Sequence, residues 1–245
     1  MNISNKTILV TGGGSGIGFE FAKSLSEKNN KVIITGRNED KLRQAAAKLK
    51  NVSYFAADVN DAAQLDALVA HIKKEFGKLD VLVNNAGFAY VYSLADATGV
   101  YEKAVEEFNT NFFAAIRLTE KALPLLSAQP EAAIVNVSSI LALVPSGRLS
   151  TYSASKAALH FYTQSLRHAL AKTTGVKVFE ILPPLVNTEF SKEIGGDNGI
   201  APSVVADDLI AGLESDHYEI HVGQTAYIYN LLQTAPAEAF KALNA

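Results

Sequence analysis

The sequence predicts an α/β fold, a single doubly wound parallel sheet with helices packed on both faces. Three observations carry this expectation. Short β-branched runs alternate with segments of helical periodicity along the chain, which calls for right-handed βαβ crossovers. A glycine-rich turn sits where the first strand-like run meets the first helix-like one. No linker, low-complexity tract or short repeat breaks the pattern, so residues 1–245 read as one domain with a sizeable core.

The elements follow in order. Lys6–Val10 is a β-branched run ending at Thr11-Gly12 and reads as a buried strand. Gly16–Glu27 carries Ile17, Phe21 and Leu25 at helical spacing. Lys31–Thr35 is a second strand, Asn38–Leu49 a helix with Lys and Arg outward, and Val52–Ala56 a third strand leading to Asp58. Asp61 is placed to cap the helix Ala62–Phe76. Leu79–Val83 is the fourth strand and runs into Asn84-Asn85-Ala86-Gly87. An aromatic loop (Phe88, Tyr90, Tyr92) opens a helical region to about Leu126, and Ala133–Val137 is the fifth strand. The helix after Thr151 reaches about Leu170, and Val176–Ile181 is the sixth strand. A loop through Pro183-Pro184 and Gly195-Gly196 then gives a helix near Ser203–Glu214, a short strand Glu219–Val222 and a helical tail Gln224–Ala245.

Composition narrows the function classes. A hydrophobic share of 48% with 19% charged residues is globular, and a net charge of −3 leaves no electrostatic footprint for nucleic acid. There is no cysteine, which excludes disulfides, thiolate catalysis and Cys-based metal sites. No signal peptide is visible and no apolar run spans a bilayer, so a soluble cytoplasmic protein without membrane partners is expected.

Two stretches carry chemistry. In Asn136–Lys156, Ser139 ends an apolar run, while Tyr152 and Lys156 stand one helical turn apart on one face. An ammonium beside a phenol favours phenolate, which predicts a lowered Tyr152 pKa and a group able to move a proton at a carbonyl or alcohol oxygen held by Ser139. The other stretch is Thr11-Gly-Gly-Gly-Ser-Gly-Ile-Gly18, with spacing Gly12-x-x-x-Gly16-x-Gly18. Between strand and helix, such a turn lets backbone approach a pyrophosphate at the helix N-terminus; a flexible turn with close packing is the plainer alternative. At the end of the second strand stands Gly36, followed by Arg37, where an acid would bind a ribose 2′-hydroxyl. The missing carboxylate and the guanidinium favour NADP(H) over NAD; otherwise Arg37 is a solvated residue opening a helix.

Together TGGGSGIG, NNAG, Asn111 in FNTNFFA, Ser139 in NVSSI and YSASK resemble a classical short-chain dehydrogenase/reductase, with the motifs in that family's order from Lys6 to about Val222. The resemblance implies a Rossmann-like fold and an oxidoreductase passing hydride between nicotinamide and a carbonyl or secondary alcohol. It implies that Tyr152 is the general acid or base, that Lys156 binds the nicotinamide ribose, that Ser139 orients the substrate oxygen and that Asn111 holds a water linking Lys156 to solvent. It places Gly12, Gly14, Ser15, Gly16, Ile17 and Gly18 at the pyrophosphate, and Asp58 with Val59 at the adenine. Asn85, Ala86 and Gly87 would lie near the adenosine ribose, and Pro183, Val186 and Thr188 near the carboxamide. A homo-oligomer, dimer or tetramer, is also implied.

Two positions depart from the family pattern: Pro184 replaces the usual glycine after strand six, and Ala142 replaces a common glycine. The Pro184 ring fixes φ and removes an N–H, so the loop carrying Val186 and Thr188 is expected to sit differently. The segment PPLVNT and the late GLES…YEIHVG are similar to the DltE-like oxidoreductases of this family. Among the remaining candidates, His217, Glu219 and His221 have strand spacing, which suits a polar edge or subunit interface better than a metal site. Phe88, Tyr90, Tyr92, Leu141, Leu143 and Phe190 are either core or an apolar substrate pocket, and Gly195–Gly199 is a candidate lid hinge. A non-catalytic NADP-binding sensor or scaffold with the same fold is the alternative function.

Overall fold

The computed structural model describes residues 1–95 and 98–244. Its strands are β1 (Thr7–Thr11), β2 (Lys31–Gly36), β3 (Val52–Ala56), β4 (Val81–Asn84), β5 (Ala132–Val137), β6 (Val176–Leu182) and β7 (Glu219–His221). All pair in parallel, in the order β3-β2-β1-β4-β5-β6-β7. The helices are α1 (Gly16–Ser26), α2 (Glu39–Ala46), α3 (Ala62–Phe76), α4 (Val100–Phe108), α5 (Ala114–Ser127), α6 (Ser150–Leu170), α7 (Pro202–Glu214), α8 (Gln224–Thr234) and α9 (Pro236–Asn244). The sequence elements are all present, with most ends displaced by a residue or two; α2, expected to reach Leu49, stops three residues earlier at Ala46.

Strand alternation builds two cores. Ile8, Val10, Val32, Ile34, Phe179 and Ile181 face one side, where Phe21 and Leu25 of α1 meet Val205 and Leu209 of α7. Their neighbours Leu9, Ile33, Leu82, Ile134 and Val178 face the other, against Leu65 and Leu68 of α3 and Leu118 and Leu126 of α5. Near-continuous apolar strands are what a sheet covered on both faces requires.

Three local features refine the expected elements. Asp61 caps α3 through the amides of Ala63 and Gln64, and Gly77, at φ +73°, ends the same helix. The helix expected up to Leu126 contains one π-helical turn, Asn109–Phe113, between α4 and α5. The expected helical tail is two helices: Ala235 leaves helical geometry and Pro236 starts α9, because the residue before a proline is driven out of the α region. The end of that tail, Ala245, lies outside the described residues.

Because the order reverses between β2-β1 and β4-β5, the loops after β1 and β4 diverge and leave a crevice at the strands' carboxyl ends. The opposite end is tied by Asn30, fully buried, whose Oδ1 accepts from Lys6 N at 2.7 Å and whose Nδ2 donates to the carbonyls of Ile3 and Leu25 at 2.7 and 2.8 Å. Asn30→Ala is expected to lower unfolding free energy by about 3 kcal/mol, roughly 1 per lost hydrogen bond, read as a lower urea midpoint with unchanged slope.

Candidate active site

The glycine turn is shaped by close approach. Gly12 and Gly16 have φ of +66° and +55°. A Cβ on Gly18 would stand 2.4 Å from the Gly12 carbonyl oxygen and 2.5 Å from Asn85 Nδ2, so only glycine fits where α1 meets the turn. Thr11 Oγ1 donates to the Val83 carbonyl at 3.3 Å and accepts from the amides of Asn85 and Ala86, both at 2.9 Å. Asn85 Nδ2 in turn donates to Thr11 O at 2.8 Å. Ser15 starts α1 with no side-chain cap, and the first turn holds no acid. The helix N-terminal amides are thus free of side-chain partners and aimed where an anion would be stabilised.

Across the crevice, Ser139 opens the short 3-10 turn Ile140–Ala142, its Oγ accepting from Leu141 N at 3.1 Å. Tyr152 and Lys156 project from the first turns of α6 and are buried. Lys156 Nζ donates to the Val137 carbonyl at 2.8 Å and lies 5.7 Å from the Tyr152 ring centroid. Here the structure corrects an expectation. Tyr152 is pushed up to about 12, chiefly by burial, with the Ser139 hydroxyl drawing it back and Glu107 adding to the rise. Lys156 is pushed down to about 8 by burial, opposed by Glu180. The apolar surroundings act on each group's charged form more strongly than the two act on each other. In the ligand-free chain Tyr152 is therefore a protonated phenol, a proton donor.

Asn111 sits in the π-helical turn and clamps the loop after β4. Its Nδ2 donates to Phe88 O at 2.9 Å and to Ser155 Oγ at 3.0 Å, while its Oδ1 accepts from Phe88 N at 3.0 Å. A Cβ on Gly87 would meet Asn111 Oδ1 at 3.0 Å and Lys156 Nζ at 3.5 Å. The side-chain amide is thus engaged with protein on both its oxygen and its nitrogen.

One cavity of about 940 Å³ joins the two halves. It brings together Gly12, Ser15, Gly16, Ile17, Gly18, Asn85, Ala86, Gly87, Ser139, Tyr152, Lys156, Pro183, Val186 and Thr188 of the expected site. Gly14, Arg37, Asp58, Val59 and Asn111 are not in its wall. Gly14 packs toward Leu42, Asp58 Oδ1 accepts from Asn60 N at 2.9 Å, Val59 is buried, and Arg37 is exposed at the end of β2. Despite Pro184, the following loop still faces the turn: the Thr188 methyl would lie 3.3 Å from a Cβ on Gly16. The Pro183 carbonyl accepts from Ile140 N at 2.9 Å.

Of the aromatic and aliphatic set, only Leu141 and Phe190 line this cavity. Leu143 packs with α8 and α9, the Tyr92 hydroxyl bonds Thr151, and the Tyr90 hydroxyl bonds Glu106. Their place is taken by Phe240 and Leu243 of α9, in the segment whose sequence pattern marks only a helical tail. Gly196 and Gly199 are close-packing glycines: a Cβ would stand 2.2 Å from Ser191 Oγ and 2.8 Å from the Leu185 and Val186 backbone. Glu219 and His221 share a face of β7 and bond each other at 3.0 Å, while His217 stands exposed in the turn before it.

With this geometry in view, the relatives decide the family. The model described as short chain dehydrogenase matches residues 6–199. The chain belongs to the short-chain dehydrogenase/reductase family. Within it, the uncharacterized oxidoreductase DltE of Bacillus subtilis (strain 168) is 41% identical over 200 residues, 82% of this chain and 79% of that protein. An uncharacterized oxidoreductase of Staphylococcus saprophyticus subsp. saprophyticus is 33% identical over 87% of this chain and 93% of its own. Two solved members superpose with TM-scores of 0.88. One, from Burkholderia cenocepacia J2315, is in complex with NADP, is 27% identical and matches over 100% of both chains. The other, from Burkholderia phymatum, is in complex with NAD, is 21% identical and matches over 100% of this chain and 97% of its own. This member is thus a DltE-like short-chain oxidoreductase, and among its described residues no helix is long and apolar enough to cross a membrane.

The raised Tyr152 pKa has a direct check. In the cofactor-free protein, Tyr152→Phe is expected to leave the tyrosinate absorbance titration unchanged up to about pH 10 and to remove signal only above it. Loss of a component near neutral pH would show the lowered tyrosine that spacing alone suggests.

Proposed function

We propose that this oxidoreductase is NADP(H)-dependent, interconverting a carbonyl compound and a secondary alcohol, with residues 1–245 forming one cofactor-binding and catalytic domain. The observation that carries the reading is the shared cavity, in which the uncapped α1 turn and the Ser139, Tyr152 and Lys156 side chains line one continuous space. The cradle suits a dinucleotide: Gly12 and Gly16 have left-handed backbone, Gly18 has no room for a Cβ, and the first α1 amides await an anion.

In this reading Gly12 to Gly18 hold the pyrophosphate, Asp58 and Val59 the adenine, and Asn85 to Gly87 the adenosine side. Pro183, Val186 and Thr188 flank the carboxamide, and Lys156 binds the nicotinamide ribose. The bound nicotinamide supplies or accepts the hydride. Tyr152 gives its phenolic proton to the carbonyl oxygen in reduction and takes one from the alcohol in oxidation. The Ser139 hydroxyl, whose oxygen already accepts from Leu141 N, keeps its hydrogen to donate to that same oxygen. Asn111 holds the Gly87–Phe88 segment beside Lys156, and a water on its backbone would join that lysine to solvent.

NADP(H) rather than NAD(H) rests on Gly36 and Arg37. A Cβ at Gly36 would meet nothing nearer than Leu42 at 3.7 Å, so the end of β2 leaves space. Arg37 is exposed beside it, with no hydrogen bond or ion pair among the described residues. A homo-oligomer is supported by exposed Tyr101, Val105 and Phe113 of the α4 region and exposed Phe161 of α6.

Two measurements test this reading. A panel of carbonyls and secondary alcohols, followed by nicotinamide absorbance, is expected to yield a substrate on which Tyr152→Phe loses at least about 100-fold in kcat. Full turnover by that variant would refute Tyr152 catalysis, and tight NADPH binding without turnover across the panel would favour a sensor. Arg37→Ala is expected to weaken NADPH binding by about tenfold or more, the loss of one charge-assisted contact, and NADH binding little. Equal losses would show that Arg37 does not read the 2′-phosphate.

A further inference from the structure

Between α6 and β6, outside the cavity wall, lies a charged pair that the proposed chemistry does not use. Glu180 on β6 is fully buried. Its Oε2 is 2.9 Å from His160 Nδ1, and its Oε1 has no hydrogen-bond partner among the described residues. His160 stands one turn beyond Lys156 on α6, and its Nε2 accepts from Gln164 Nε2 at 3.0 Å. Lys156 is also buried, and its three-donor ammonium makes one hydrogen bond among the described residues, to Val137 O. The register pairs Glu180 with Asn136, the residue before Val137, and Asn136 donates to Thr163 of α6. The carboxylate with its orphan oxygen and the ammonium, which also lines the cavity, are therefore both held against α6 and the same pair of strands.

We propose that Glu180 is the buried counter-ion of Lys156, and that His160 sets how much of that negative charge the lysine feels. A buried ammonium with no compensating charge would lose its proton, and Glu180 opposes that loss. His160 competes for the same carboxylate. With Nε2 accepting from Gln164, Nδ1 carries the hydrogen given to Glu180. A second proton on the ring requires Gln164 to turn its carbonyl oxygen inward, and it offsets the charge of Glu180. His160 is raised above its ordinary value, first by its bond to Glu180. A charged His160 and a charged Lys156 would thus draw on the same carboxylate.

The other charged or titratable groups around this unit are few. Tyr152 and Arg167 lie on α6 itself, Glu219 and His221 on β7, Glu107 comes from α4 and Tyr229 from α8. Arg167 is committed to the carbonyls of Val178 and Tyr218, and Glu219 to His221. β5 contributes no titratable side chain, so Glu180 is the one acid between α6 and β6 among the described residues. Glu180 and His160 are positioning residues: both act through Lys156, and the proposal rests on the reading of Lys156 as the site's ammonium.

The test reads Lys156 directly in the ligand-free protein. The lysine side-chain 13Cε and 1Hε NMR signals are titrated with pH, and Lys156 is assigned by its loss in Lys156→Arg. Glu180→Gln keeps the volume and can still accept from His160, and it is expected to lower the Lys156 midpoint by about one pH unit or more. His160→Gln removes the competitor and is expected to raise it. A Lys156 midpoint unmoved by Glu180→Gln would overturn the proposal. Should that variant not fold, an unmoved midpoint in His160→Gln would overturn it equally, because a pair that only ties α6 to β6 leaves the lysine's titration alone. The outcomes separate from those of the parent reading. A moved midpoint with a fully active Tyr152→Phe defeats the catalytic assignment only, and an unmoved midpoint with an inactive Tyr152→Phe defeats this proposal only.

Discussion

The Thr11 hydroxyl is the contact on which the site depends. At the end of β1 it serves one carbonyl of β4 and the two amides that follow β4, so one side chain closes both strands at the point where the sheet changes direction. The loops after β1 and β4 diverge because the chain leaves the two strands in opposite directions, and that tie fixes the point from which they part. With it, Asn85 is drawn under the turn to bond Thr11 O, and Gly18 must pack where no Cβ fits. The anion-facing end of α1 and the lysine-facing end of the β4 loop are thus fixed relative to each other by backbone geometry. A site for a long, two-ended ligand needs that kind of fixed span.

The chemical end is organised by burial. Tyr152 and Lys156 are both placed where charge is costly, and their protonation equilibria move in opposite directions, the phenol up and the ammonium down. The two shifts have a common cause, so they are a property of the enclosure and not of the pair's mutual attraction. The consequence is a proton donor held ready, with its conjugate base accessible only when further positive charge enters the site. Ser139 is the group that offsets part of the rise, while its oxygen accepts from Leu141 N.

Much of this was legible from local pattern. Strand runs, the glycine turn and the Tyr152/Lys156 spacing each express a short-range rule, a period or a turn, and each reappears in the fold within a residue or two. What the pattern missed arises from contacts distant in sequence. The cavity wall from Phe240 and Leu243 depends on α9 folding back, where Asn244 donates to Pro145 O and accepts from Gly147 N. No periodicity announces such a return, although Pro236 marks the break that allows it. Spacing likewise placed Lys156 beside Tyr152 but gave the wrong sign for the tyrosine, because burial by the surrounding loops is not written in the helix. Glycines at 196 and 199 looked like a hinge and are points of tight packing, a distinction that only the neighbours' positions make.

Glu180 shows the same limit from the other side. In sequence it is one acid in a strand, VKVFEIL, where an apolar residue would be the ordinary choice. A carboxylate at the centre of a parallel sheet is tolerated only where charge answers it, and His160 answers one oxygen alone. The remaining oxygen has no hydrogen-bond partner among the described residues, and its negative charge favours the ammonium of Lys156, one turn before His160 on α6. Replacing Glu180 with an apolar residue would suit the sheet better and leave the lysine without its counter-charge. A costly group kept at a site where the fold alone would favour its removal is most simply explained by what it does for Lys156.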